Sequence, residues 1–241
     1  MRFNIFSLNK FCKFNEVFDD EAQKKLEDDC YNIIMVQESR RLNDIAFKNI
    51  YNGKAYKALF DSTENAMPQR ASVGIYAQEG IFDIFPDSNL RMMKVPTLSL
   101  DDSGNMFEVI NKGIMLNIPI NNTSLTIMSL HSAPPYQRTF RELSFVVHKL
   151  NRYNGYWLFI AEYESDAAQN LIGEDSCASL NINAERIAET DHFCISSKNM
   201  NEIMKVLPIC SDHNSIDDTA CRIRIDIPTD SDVQEGGQLN E

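Results

Sequence analysis

Two apolar runs lie on either side of an amphipathic segment in the middle of the chain. The first run ends at His131, and the second, residues 157–161, leads into Glu162 and Glu164. Between them, apolar residues recur at spacings of three and four, which predicts one face of a helix. The recurring residues are Phe140, Leu143, Val147 and Leu150. We expect a strand, a crossover helix and a second strand, which would bring His131 and the two carboxylates to one sheet edge, where ligands of α/β sheets often bind.

Shorter apolar and alternating runs predict further strands along the chain. These strands cover residues 2–9, 32–37, 54–60, 71–77, 114–120, 124–130 and 222–227, with two more between residues 80 and 95. Asn121-Asn122 joins two of them as a hairpin turn. We also expect helices over residues 19–26, 42–51 and 201–207, and a loop-like stretch from Glu164 to about Glu185. Many short strands with few long helices indicate a layered α/β or α+β domain.

Composition and charge narrow the class of protein. The 241 residues contain no linker that would divide them, which predicts one domain over residues 1–227 and a polar, acidic tail over residues 228–241. The formal net charge of -12 argues against binding nucleic acid by general neutralisation of phosphates, but it is compatible with a nuclease whose cleft is locally basic.

The sequence also gives expectations about the cellular compartment of the protein. No apolar run is long enough to span a membrane. We expect a cytoplasmic protein, one exported by a route that the sequence does not reveal, or a secreted one whose leader has been removed. The six cysteines form no CxxC pair and show no zinc spacing, which favours free buried thiols.

Four short motifs in order along the chain point to a known family. They are Val36-Gln37-Glu38, Leu130-His131-Ser132-Ala133-Pro134, Thr190-Asp191-His192-Phe193 and Ser211-Asp212-His213. Together they resemble the endonuclease/exonuclease/phosphatase superfamily, within it deoxyribonuclease I and the catalytic subunit of cytolethal distending toxin. The resemblance implies the α+β class and a four-layer α/β/β/α sandwich of the deoxyribonuclease I-like type. It also implies that residues at the ends of separate strands converge on one cleft.

The resemblance implies roles for five residues of these motifs. Glu38 stands where the family has a carboxylate ligand for Mg²⁺ or Mn²⁺, and carboxylates suit such hard cations. His131 matches the histidine that protonates the leaving group or binds the scissile phosphate. His213 matches the general base that activates water, Asp212 is its motif partner, and Asp191 matches the aspartate that orients it. Two histidines that flank a phosphodiester can take one proton and give another.

Three further residues match phosphate-binding positions of the family. They are Asn9, Arg70 and Lys112, and the lysine keeps the charge of the family's arginine without its bidentate fork. Gln69 falls where deoxyribonuclease I has a glutamate that supports the first histidine, and a neutral amide would hold that imidazole less strongly as a cation.

One motif departs from the family pattern. Where most members have Gly-Asp-Phe-Asn, this chain has Ala161-Glu162-Tyr163-Glu164. Glu162 then takes the catalytic aspartate's place with one methylene more, and Glu164 puts a carboxylate where the family offers an amide to the phosphate. Repulsion in a partly desolvated cleft predicts weakened catalysis.

These observations support three hypotheses about function. The first is a magnesium-dependent phosphodiesterase, specifically an endonuclease acting on DNA, with activity weakened by the altered motif. The alternative is a catalytically degenerate member that acts as a binding protein or a toxin-complex subunit with partner subunits. The third is a phosphatase that acts on a phosphoinositide, because the superfamily includes such enzymes.

Overall fold

The computed structural model describes residues 1–9, 30–39, 55–61, 72–100, 103–131, 140–162, 172–187, 192–208 and 220–228. Within these ranges the chain forms two six-stranded sheets. The strands of the first sheet are β1 (Arg2–Asn9), β2 (Tyr31–Ser39), β3 (Tyr56–Asp61), β4 (Ser72–Gln78), β11 (Met204–Pro208) and β12 (Ala220–Asp226). The strands of the second sheet are β5 (Asn89–Leu100), β6 (Met106–Ile120), β7 (Thr123–His131), β8 (Gly155–Glu162), β9 (Ile182–Arg186) and β10 (His192–Ser197). The described helices are α1 (Glu79–Ile84), α2 (Phe140–Leu150), α3 (Glu174–Leu180) and a 3₁₀ turn, Lys198–Met200.

Each sheet is mixed and has one parallel pair at its centre. The first sheet has the order β11-β12-β1-β2-β4-β3, with β1 and β2 parallel and the other neighbours antiparallel. The second has the order β5-β6-β7-β8-β10-β9, with β7 and β8 as the parallel pair. In each sheet, therefore, two neighbouring strands end at the same edge.

An apolar core lies between the two sheets. Alternate residues of the strands supply it, as expected where one face of a strand is buried. Ile5 and Ile75 of the first sheet and Ile127 and Ile160 of the second are fully buried in the same cluster. Each such side chain stabilises the fold by about 1.5–3 kcal/mol relative to exposure. The buried inner faces fix the register of the strands, because a slip by one residue would exchange the two faces.

A second apolar cluster covers the outer face of the second sheet, where α2 packs. The helix turns four residues towards the sheet: Leu143, Val146, Val147 and Leu150. Glu142 lies in its first turn and His148 and Lys149 in its last, as the helix dipole favours. The indole of Trp157 donates a hydrogen bond to Asn151 Oδ1 (3.0 Å), which fixes the chain just after the helix.

Most predicted elements agree with the structure. The first and last strands, the helix over residues 140–150 and the parallel pair on either side of it are all present. Asn121 turns the predicted hairpin with φ 51°. The α+β class and the two central sheets agree with the prediction. The domain boundaries stay a prediction, and the expected helices over residues 19–26 and 42–51 lie outside the described residues.

Three predicted segments are wrong. Residues 79–84 form α1, and the following strand, β5, pairs with β6 over its whole length, from Asn89 to Leu100. The stretch expected as a loop contains α3 and β9. Residues 204–208 are strand β11, because they pair with β12 at the edge of the first sheet. Short apolar runs do not distinguish helix from strand, and distant pairing decides between them.

Candidate functional site

The carboxyl ends of β7 and β8 lie side by side in the second sheet. The two strands pair from Ser124 with Gly155 to Ser129 with Ile160. Two residues further on, the same register brings His131 level with Glu162, the last residues of the two strands. The backbone thus carries a histidine and a carboxylate residue to the same sheet edge.

The neighbouring antiparallel strands add further residues paired in line with His131 and Glu162. Lys112 of β6 pairs with His131, and Lys94 of β5 pairs with Lys112. On the other side, Glu162 pairs with His192 of β10. We call these five positions the edge row. It carries one ionisable residue on each of five adjacent strands.

Two members of the edge row, Lys94 and His192, were not among the candidates from the sequence. His192 directly follows Asp191 in its motif, so its nearness to the site could have been inferred from that neighbour. Lys94 gave no such signal, because the long pairing of β5 with β6 was not predicted.

Buried strands hold the edge row in place. Leu130 and Ala161, the residues just before His131 and Glu162, are at most 1% exposed. Ile114, two residues after Lys112, is fully buried in the core between the sheets. Functional groups on such packed strands are held more precisely than groups on loops.

The first sheet carries two of the predicted residues at the carboxyl ends of its own parallel pair. Asn9, the last residue of β1, lies opposite Gln37 of β2. Between Val36 and Ser39 the register of β2 with β4 shifts, so that two residues, Gln37 and Glu38, lie opposite one, Val73. Such bulges often lie next to active sites, where they change the direction of a side chain. Asn9 and Glu38 therefore lie at neighbouring ends of two paired strands.

Five predicted residues lie outside the described residues: Arg70, Glu164, Asp191, Asp212 and His213. The structure nevertheless shows where the chain leaves and re-enters the sheets around them. Pro208 and Ala220 flank the Asp212-His213 segment, and Ala220 pairs with Leu8 of β1.

The residues that neighbour the remaining three, Arg70, Asp191 and Glu164, lie at the strand ends described above. Ser72, two residues after Arg70, pairs with Ser39 of β2. His192, directly after Asp191, pairs with Glu162, which is two residues before Glu164. Each predicted residue thus belongs to a segment that begins or ends at one of the two strand edges described here.

The described cysteines are free thiols, of which Cys30, Cys194 and Cys221 are buried as predicted and Cys177 is half-buried. Burial raises the pKa of Cys221 to about 12 and, with the charges of Cys221 and Glu185, holds the pKa of Cys194 well above its usual value. Because the thiolate is the reactive form, burial disfavours nucleophilic chemistry at Cys194 and Cys221. Cys12 and Cys210 lie outside the described residues.

No group of three or more His, Cys, Asp or Glu side chains that could hold a metal ion occurs in the part of the chain that the structure describes. That part likewise contains no helix long and apolar enough to cross a membrane.

Comparison with solved structures identifies the fold. The AP endonuclease of Leishmania major matches with a TM-score of 0.61 at 10% identity, over 94% of this chain and 88% of that one. An endonuclease/exonuclease/phosphatase family protein of Leptotrichia buccalis matches with a TM-score of 0.56 at 14% identity, over 94% and 100%. No family model and no curated protein sequence matches the chain.

A protein with different chemistry also matches. Cimex nitrophorin, in its ferrous NO complex, has a TM-score of 0.52 at 10% identity, over 94% of this chain and 99% of that one. At such low identity the comparisons show the architecture, and function has to be argued from the site. The chain has the deoxyribonuclease I-like fold of endonuclease/exonuclease/phosphatase domains.

Proposed function

We propose that the protein is a divalent-metal-dependent phosphodiesterase, specifically an endonuclease that cuts DNA. The edge row is the observation that carries this proposal, because it gathers lysine, histidine and glutamate at the carboxyl ends of a parallel pair. By strand alternation, positions 112, 131 and 162 belong to the face that packs against the first sheet, as do Ile114, Ile127 and Ile160. We propose that Asn9 and Glu38, at the carboxyl ends of the first sheet's parallel pair, face this row across the space between the sheets.

The oxygen donors at the end of the first sheet fit a hard cation. The carboxylate of Glu38 and the amide of Asn9 are ligand types that Mg²⁺ and Mn²⁺ accept, and the two residues lie near the ends of neighbouring strands. Glu38 would be the main ligand. When bound, the cation would stabilise negative charge that develops on the phosphate oxygens.

The remaining candidates would bind the phosphate and move the protons. Lys112 and Arg70 would bind the phosphate oxygens. His213 would take a proton from water as its oxygen attacks phosphorus, and Asp191 and Asp212 would orient that imidazole. His131 would give a proton to the leaving oxygen as its bond to phosphorus breaks.

Plasmid nicking tests the reaction class. Supercoiled DNA is incubated with the protein and Mg²⁺, Mn²⁺ or a chelator, and a phosphoinositide is offered in parallel under the same conditions. We expect nicked circles with either cation and none with the chelator. Release of phosphate from the phosphoinositide without nicking would instead identify a phosphatase.

Calorimetric titration of Mn²⁺ tests the metal site separately from turnover. We expect Glu38→Ala to weaken Mn²⁺ binding at least about tenfold, which is 1.4 kcal/mol, with an unchanged unfolding temperature. Equal affinity of variant and parent would remove Glu38 from the metal site.

Glu162 and Glu164 favour a second candidate, a binding protein that has lost catalysis. Two carboxylates near a phosphate oppose its binding, and a nitrophorin described in a ferrous NO complex shares the fold. An intact protein that binds no divalent cation, nicks no plasmid and releases no phosphate from the phosphoinositide would favour this second function.

A further inference from the structure

A cavity of about 410 Å³ lies on the outer face of the second sheet, between edge strand β5 and helix α2. Its lining consists of Arg91, Met92, Met93, Lys94, Met115, Phe145, Lys149, Arg152 and Tyr153. We call it the β5–α2 cavity. The volume is in the range of small-molecule sites, about 300–1,000 Å³. It is separate from the core between the sheets, because Met93, Met115, Phe145 and Tyr153 belong to the outer cluster.

Three cations surround the cavity on the outer face in a protein whose formal net charge is -12. They are Arg91 on β5, Lys149 near the end of α2, and Arg152 just after it. Lys94 also lines the cavity, but it pairs with Lys112 and by strand alternation belongs to the inner face. None of the three forms an ion pair with a carboxylate among the described residues. Lys149 and Arg152 are favourable near a helix carboxyl end in any case, and a cation on an edge strand discourages strand pairing. Neither effect explains why all three line one cavity without a counter-charge.

The contacts of these cations leave donors available to a ligand. Arg91 Nε donates to Asn89 Oδ1 at 3.0 Å, which orients the guanidinium on the strand. Arg152 Nη2 lies 3.4 Å from His148 Nε2, and Lys149 Nζ lies 5.3 Å from the ring centre of Phe145. None of these partners is a carboxylate. An anion would therefore meet cations whose charge no carboxylate cancels.

The rest of the lining is aromatic and thioether-bearing. Phe145 and Tyr153 offer flat faces, and Met93 and Met115 offer flexible, polarizable chains that adapt to a ring. Free phosphate would use only the cationic part of the cavity. Among phosphorylated ligands, a nucleotide supplies a flat ring as well, and bases stack on aromatic side chains without sequence preference.

We propose that the β5–α2 cavity binds a nucleotide, with its phosphate between Arg91 and Arg152 and its base against Tyr153 and the methionines. The ligand is either a free nucleotide or one nucleotide of a single strand. This site does not depend on the proposed phosphodiesterase activity, because it lies on the opposite face of the sheet from positions 131 and 162.

Methionine methyl NMR locates the ligand in the unmodified protein. Adenosine 5′-monophosphate is added in the presence of a chelator, with inorganic phosphate and adenosine as separate probes. We expect the ε-methyl signals of Met93 and Met115 to shift with the nucleotide, while that of Met106, which is 71% exposed at the far end of the hairpin, stays unchanged. No shift of these two cavity signals at millimolar nucleotide would overturn the proposal.

Calorimetric affinities with matched variants then test each part of the site. We expect Arg91→Glu with Arg152→Glu to weaken nucleotide binding at least about tenfold. Lys205→Glu, a single charge reversal on the edge strand of the other sheet, should leave it unchanged. Tyr153→Ala should weaken binding of the nucleotide but not of phosphate. Equal affinity for nucleotide and phosphate would overturn the assignment of the base.

A short oligoadenylate distinguishes the two sources of the nucleotide. Tighter binding of the oligomer than of the monomer would identify a single strand, and equal binding would identify a free nucleotide; both outcomes support the site. All titrations are repeated with His131→Ala. Because this change lies in the proposed active site, loss of catalysis with unchanged nucleotide binding separates the two proposals.

Discussion

Glu162, the last residue of β8, pairs directly with His192, the first residue of β10. On its other side Glu162 is level with His131, since β7 and β8 keep a parallel register up to Ser129 and Ile160. The glutamate position therefore lies between two histidine positions. When the imidazole is protonated, opposite charges on directly paired residues stabilise a sheet by about 0.2–1 kcal/mol. The edge row thus has a structural reason for a carboxylate at position 162 besides any part in catalysis.

His131→Ala tests the proposed proton donor. We expect the rate of plasmid nicking to fall at least about a hundredfold, because general acid–base groups contribute about 10²–10⁴ to a rate. The unfolding temperature should change little, since His131 ends its strand. Gel densitometry of nicked circles under single-turnover conditions gives the rate.

Thr123→Ala at the opposite end of the same strand is the matched control for His131→Ala. Thr123 Oγ1 donates one exposed hydrogen bond to the carbonyl of Asn154 (3.4 Å), so its loss should leave the nicking rate unchanged. Equal rates for parent and His131→Ala would refute the role of His131.

Gly155→Ala should destabilise the fold strongly. Gly155 has φ 138°, and a Cβ there would overlap Thr123 Oγ1 and the backbone of Ser124 in the neighbouring strand. Backbone strain alone costs about 1–3 kcal/mol, and the overlap adds to it. We expect a loss of about 3 kcal/mol or more in the free energy of unfolding, measured by urea titration.

Gly104→Ala separates strain from overlap. Gly104 also has positive φ, 78°, but a Cβ there would meet no atom within 4 Å. We expect this variant to lose only about 1 kcal/mol, the cost of a left-handed conformation with a side chain. If Gly104→Ala and Gly155→Ala lose similar free energies of unfolding, the close approach of β7 is not the reason that position 155 requires glycine.

Asp226→Asn should lower stability at neutral pH and have less effect in acid. Burial alone would raise the pKa of Asp226, but hydrogen bonds from Arg2 Nε (2.6 Å) and Arg224 Nε (3.0 Å), with their charges, lower it overall. A carboxylate with a lowered pKa stabilises the folded state above its unfolded pKa, and this is lost as pH falls through the folded pKa. Because the side chain is 45% exposed, water screens the pairs and we expect about 0.5 kcal/mol at pH 7.

Urea unfolding of parent and Asp226→Asn at pH 7, 5 and 3 measures this dependence. Asp83→Asn, at an exposed position of α1, serves as the control. It should give the same unfolding curve as the parent at each of the three pH values. A difference between parent and Asp226→Asn that stays constant down to pH 3 would contradict the role of the two arginines.

The fold was predictable where local and tertiary preferences agree. The run ending at His131, the amphipathic helix and the run ending at Glu162 each bury one complete face, so their periodicity was clear. Residues 201–207 were predicted to be a helix, but residues 204–208 form a strand because they pair with β12. No local feature of the sequence indicates that pairing.

The candidate site was predictable in part for the same reason. Motifs named the residues at strand ends, but the sequence does not contain the register that aligns them. Lys94 entered the edge row only through the pairing of β5 with β6, and His192 only through that of β10 with β8. The bulge at Gln37-Glu38 could not be predicted from the sequence either, because it depends on pairing with strand β4.

Restoring the family's residues at the altered motif tests why activity would be weak. We expect Glu162→Asp with Glu164→Asn to raise the nicking rate at least about tenfold, a gain of about 1.4 kcal/mol in transition-state stabilisation. Asparagine at 164 removes a negative charge from the phosphate and supplies an amide donor. The single change at 164 should give more of the gain, because it alters charge whereas the change at 162 alters length alone.

The pairing of Glu162 with His192 makes the single change at 162 informative in its own right. If the longer carboxylate is adapted to its place between two histidine positions, Glu162→Asp alone should lower the rate and the unfolding temperature together. If it is a remnant of lost catalysis, the rate should rise without a change in stability. The double variant separates the remaining explanations. If the parent is active and the double variant is slower, both glutamates contribute to catalysis. If parent and double variant are both inactive with an intact fold, the binding protein is favoured, because Gln69 and Lys112 would then also limit catalysis.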